Sequence, residues 1–104
     1  MYLIREIMYC KPGKVKPMVQ KFLKMNEISK RAGKPTMQVM TDFVADQYWM
    51  IVAHMEVESL TDFEKMMTDM AGYSEADMKE LEEVMKDYHD FVLSGRREVY
   101  KLEG

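Results

Sequence analysis

One cysteine and two histidines leave this chain short of the side chains that most often ligate metals or act as nucleophiles. Cys10 has no second thiol with which to form an internal disulfide, and there is no CxxC pair, no HExxH arrangement, no glycine-rich phosphate loop and no serine elbow. No basic segment followed by an apolar one opens the chain, and no long apolar run interrupts it, so neither a leader nor a membrane anchor is expected. Together these absences predict a reducing, cytoplasmic setting. The 15 basic and 18 acidic residues are scattered, giving a net charge of −3 and a pI near 5.4 without the basic stripe that nucleic acid would require. Prolines and glycines are few, and no linker or low-complexity tract divides the 104 residues, so residues 1–104 are expected to form a single domain.

What is present is more telling. Between Gln47 and Val57 the segment QYWMIVAHMEV places Tyr48, Met50 and Val52 on one face of a strand and Trp49, Ile51, Ala53, Met55 and Val57 on the other. Apolar residues on both faces require cover on both sides of the sheet. The chain has helices for one side only, which predicts that a second copy supplies the other and that the protein is a homodimer. Tyr2 to Cys10 behaves alike, with Leu3, Ile7 and Tyr9 on one face and Tyr2, Ile4 and Met8 on the other.

Along the chain, strand Tyr2–Cys10 stops at Lys11-Pro12-Gly13-Lys14, and helical spacing then links Val15, Met18, Val19, Phe22, Met25 and Ala32, predicting a helix over about 14–32. A second strand is expected over 36–44, a short link at Ala45-Asp46-Gln47, and the two-faced strand to Glu58. Ser59 and Ser74 each precede an acid by three residues, the signature of a helix start. Ala71-Gly72-Tyr73 separates two helical segments, the second carrying Met78, Leu81, Met85, Tyr88 and Val92 to a stop at Ser94-Gly95, before a last strand over 96–102. The order βαββαβ with a broken second helix predicts an α+β, ferredoxin-like sandwich with strands one and three central.

The strand ending in K-P-G-K, the hairpin leading through E-V-E-S-L-T-D-F-E-K into the second helix, and the closing R-R-E-V-Y-K-L strand resemble the dimeric α/β-barrel superfamily. Within it the pattern is closest to NIPSNAP-like and antibiotic-biosynthesis-monooxygenase-like proteins. The resemblance implies two sheets facing each other across a two-fold axis, helices outside, and a small-molecule cavity in each subunit. Members range from cofactor-free oxygenases and haem-degrading enzymes to ligand-binding modules, so fold membership alone assigns no function. For haem the family's signature combines a histidine, an asparagine and a tryptophan, whereas the only asparagine here, Asn26, falls inside the first helix.

Candidate chemistry is sparse. His54 precedes Glu56 by two on one strand face, a pair suited either to a general base with its orienting carboxylate or to a hydrogen bond at a dimer rim. His89 has no partner ligand at helical spacing and is expected to face solvent. Tyr9, Trp49 and Tyr100 fall on strands, where aromatic rings either fill a core or wall a cavity, and Met55 stands beside Trp49. Thirteen methionines offer the same choice: adaptable filler, or the lining of a site for a flexible apolar ligand. The reading is a homodimer that binds a small apolar or aromatic molecule at Tyr9, Trp49, Met55 and Tyr100, without metal or other cofactor. The alternatives are a cofactor-independent monooxygenase or isomerase acting on an aromatic or polyketide-like substrate with His54 as base, and a non-catalytic regulatory or interaction module.

Overall fold

The computed structural model describes residues 1–104 as a four-stranded antiparallel sheet with one helical layer. Its elements are β1 (Tyr2–Cys10), α1 (Val15–Arg31), β2 (Gln38–Thr41), β3 (Met50–Val57), α2 (Leu60–Thr68), α3 (Glu75–Met85), a 3-10 turn (Tyr88–Asp90) and β4 (Val92–Lys101). The strand order β2-β3-β1-β4 puts β1 and β3 in the centre, as a ferredoxin-like fold requires. The expected fold class is the one observed.

Register fixes the two faces. Tyr2 lies opposite Val57, Ile4 opposite Met55 and Met8 opposite Ile51, so even-numbered β1 residues share a face with odd-numbered β3 residues. That face meets the helices: Met18 and Phe22 of α1 pack on Cys10, Ile51 and Ala53. On the other face lie Leu3, Arg5, Ile7 and Tyr9 of β1, Met50, Val52 and His54 of β3, and Arg96, Glu98 and Tyr100 of β4. No helix covers it.

Helix boundaries follow local chemistry. Pro17 falls in the first turn of α1, where a missing N–H costs nothing, and Gly33 at φ 73° ends the helix while Lys34 N–H donates to Ser29 O at 2.8 Å. Ser59 caps α2 by accepting from Asp62 N, and Ser74 and Asp77 form a reciprocal capping box on α3. Both serines do what their spacing predicts.

Four expectations need correction. The third helical segment does not run to Val92 but ends at Met85, because Lys21 Nζ donates to Val84 O at 2.6 Å and pairs with Asp87, occupying the helix end. Val92 and Leu93 then join β4, with Val92 paired to Cys10, so the last strand starts four residues earlier than expected. Strand two shrinks to Gln38–Thr41: the Asn26 amide donates to Met37 O at 2.7 Å and its carbonyl accepts from Met37 N at 2.9 Å, tying the preceding backbone to α1. At its far end Asp42 Oδ1 accepts from Met50 N, and residues 42–49 form a loop in place of strand ends. Trp49 therefore lies outside β3, with a left-handed φ of 61°, and is 44% exposed.

Candidate functional site: a methionine-lined cavity

Between the inner sheet face and the helices lies a cavity of about 460 Å³. That is within the range that holds small molecules. Seven of the thirteen methionines line it: Met8 from β1, Met25 from α1, Met37 ahead of β2, Met55 from β3, Met66 and Met67 from α2, and Met85 from α3. Phe22, Phe63 and Pro35 complete the apolar wall. One side is fixed and the other loose. On the fixed side, Asn26 clamps Met37, and the Ser29 hydroxyl lies 3.1 Å from that of Tyr73. On the loose side, α2 has no buried residue at all.

Two charged groups stand within this apolar wall. Glu6 lies directly opposite Arg97 across the β1–β4 ladder, both point to the helical side, and the carboxylate accepts a hydrogen bond from the guanidinium Nε. The guanidinium also lies 5.1 Å from the centre of the Phe63 ring, a cation–π distance. Lys34, Lys65 and Asp69 stand among the remaining lining residues.

Of the five residues nominated from the sequence, Met55 alone lines this cavity. Tyr9, Tyr100 and His54 are on the opposite face, and Trp49 sits at the edge where the loop enters β3. Tyr9 and Tyr100 do come together there, through charge: Arg96 donates to the Tyr9 hydroxyl and to Glu98 at 3.0 Å, Tyr100 donates to Glu98 at 2.8 Å, and Arg5 pairs with Glu98 at 3.4 Å. The Tyr100 hydroxyl and then Arg96 hold the Glu98 carboxyl below its usual range, and the Tyr9 hydroxyl and Glu98 raise Arg96 above its own. His54 Nε2 lies 2.6 Å from Gln38 Oε1, a neighbour on β2. His89 stacks beside Tyr88 with ring centres 3.9 Å apart. Cys10 is buried, and desolvation raises its thiol above the ordinary value, the opposite of what a nucleophile needs. No three metal-ligating side chains gather anywhere.

A second, more open hollow of about 630 Å³ lies on the uncovered face under the 42–49 loop. Ile7 and Met50 form its floor and are only 2% and 6% exposed, yet Phe43, Val44 and Tyr48 on that loop are 100%, 91% and 85% exposed. The loop carries large apolar side chains with nothing packed on them.

Solved structures with this arrangement exist. A NIPSNAP-like domain protein from Burkholderia xenovorans superposes with a TM-score of 0.72 at 10% identity, over 98% of this chain and 84% of its own. A putative antibiotic biosynthesis monooxygenase from Deinococcus radiodurans gives 0.67 at 8% identity, over 100% and 94%. A Bacteroides fragilis protein described as dimeric, of unknown function and with a ferredoxin-like fold, gives 0.57 at 11%, over 97% and 96%. The chain shares their fold. No protein-family model and no curated protein sequence matches it. The neighbours support the ferredoxin-like protomer fold expected from the sequence, and no helix is long and apolar enough to cross a membrane.

Proposed function

We propose that the protein is a homodimer that binds a small apolar molecule in the cavity of each protomer, between β1, β3 and the helices. The observation that carries this reading is the concentration of seven methionines, drawn from five elements and one connecting segment, around a single space. The fully buried positions are mostly residues of fixed shape, Ile4, Ile28 and Ile51 among them, and Met18 is the one methionine at 0% exposed. Methionine instead conforms to an occupant whose shape varies. The dimer is supported by the helix-free face of the sheet, by the exposed apolar loop beside it, and by the Bacteroides fragilis neighbour described as dimeric. In such a dimer His54 and Gln38 lie at the sheet-to-sheet contact, so a chemical role for His54 requires a substrate in that seam.

Thermal-shift screening of phenols, quinones and fatty acids against the protein and its Met66→Lys variant tests the cavity. Because α2 buries no residue, the variant should fold while placing a charge in the apolar lining. Ligands that stabilise the native protein but not the variant support binding there; stabilisation equal in both contradicts it. Oxygen uptake with any stabilising phenol or quinone would move the reading toward the chemistry after which the Deinococcus radiodurans neighbour is named.

A further inference from the structure

We propose that the occupant of the cavity is an amphiphilic monocarboxylate, its carboxylate taken by the guanidinium of Arg97 and its apolar chain by the methionines. This rests on the cavity reading above and names the ligand class. Arg97 lines the cavity and uses Nε alone, toward Glu6, leaving both Nη groups without a protein acceptor. A planar guanidinium offers those donors as a fork that matches two carboxylate oxygens, a geometry that a hydroxyl cannot use. Phe63 lies within cation–π distance of the same guanidinium.

The charge balance points the same way. Three cations, Lys34, Lys65 and Arg97, share the lining with two anions, Glu6 and Asp69. Lys34 directs its ammonium over the Tyr73 ring at 5.7 Å, and Asp69 accepts from Ala71 N within its own turn. One positive charge is in excess. A monoanion balances it, whereas a phosphate dianion would add a second negative charge beside Glu6. Arg97 is 43% exposed at its side chain, so the head can reach it without breaking the Glu6 contact.

The test titrates decanoate, decan-1-ol and decyl phosphate calorimetrically at neutral pH into the native protein, Arg97→Gln and Arg97→Lys. Decanoate should bind the native protein at least about tenfold more tightly than the alcohol, as expected for a hydrogen-bonded charge. Arg97→Gln should remove that advantage and leave binding of the alcohol in place, and Arg97→Lys should keep part of it. Equal affinity for acid and alcohol, an advantage that survives Arg97→Gln, or tighter binding of the phosphate would each overturn the monocarboxylate. Failure of all three probes to bind the native protein would overturn the cavity reading itself. Should the variants fail to fold, the acid-to-alcohol ratio on the native protein decides alone.

Discussion

The two ends of the helical layer are built differently from similar apolar content. Over one end, α1 lays Met18 and Phe22 on Cys10, Ile51 and Ala53, all buried, and the strands and helix close on each other. Over the other, α2 spans the sheet without burying a residue, and methionines face one another around open space. At the packed end even a thioether, Met18, is fully buried, because Ile51 and Ala53 close on it, whereas at the other end seven thioethers border a volume that no side chain fills. With one sheet under one helical layer the molecule is thin, 39 × 36 × 18 Å, with a radius of gyration of 14.2 Å against roughly 13 Å for a domain of this length.

If the contrast is sound, the ends should respond unequally to truncation. Ile51→Ala at the packed end should lower stability by about 2–5 kcal/mol in urea unfolding, since Ile51 is fully buried against α1. A loss below about 1 kcal/mol would mean that this end is no better packed than the other. Asn26→Ala, at the border between the ends, should cost about 1–3 kcal/mol, because both backbone groups of Met37 lose their partner. It should also raise hydrogen exchange in residues 34–37 ahead of β2.

The seam between α1 and α3 sharpens the contrast through pH. Arg31, followed for Asp77 by the Ser74 backbone N–H and for Glu80 by Lys24, holds both carboxyls below their ordinary values. Carboxyls depressed in the folded state contribute stability that is present above their unfolded values, near 4, and is lost as pH falls through the lower folded values. Acid unfolding of the native protein should therefore steepen below pH ~4, and Arg31→Met should blunt that dependence. An unchanged acid limb in the variant would show that the pairs contribute nothing. The smallest effect is expected at Met66→Ala, within about 0.5 kcal/mol of the native protein, because Met66 borders open space on a helix with no buried residue.

Much of this was legible in the sequence, and the failures have physical causes. Two-sided apolar strands gave the central positions of β1 and β3, and the serine–acid spacing gave both helix starts, because these signals are local and periodic. The ends of β2, β3 and α3 were misread where a distant side chain intervened: Asn26 on Met37, Asp42 on Met50, Lys21 on Val84. Trp49 was assigned to the strand by its neighbours' alternation, whereas its left-handed backbone ends the alternation there. Tyr9 and Tyr100 fall by register on the uncovered face with Arg96 and Glu98, where Tyr100 lines the open hollow, and alternation alone does not tell that face from the helical one. The signal that was passed over is Glu6. A carboxylate between Ile4 and Met8 on the inner face needs a partner, and Arg97 has the matching parity on β4.

In the proposed complex, methionines at one end of the helical layer surround the ligand while those elsewhere do not. Methyl-labelled methionine resonances, assigned by single substitution, test it in one titration with an apolar ligand. A ligand in the cavity should shift Met8, Met25, Met37, Met55, Met66, Met67 and Met85, while Met18 in the packed end and Met40 and Met50 under the 42–49 loop stay in place. Shifts confined to Met40 and Met50 would put the site on the uncovered face and contradict binding in the cavity.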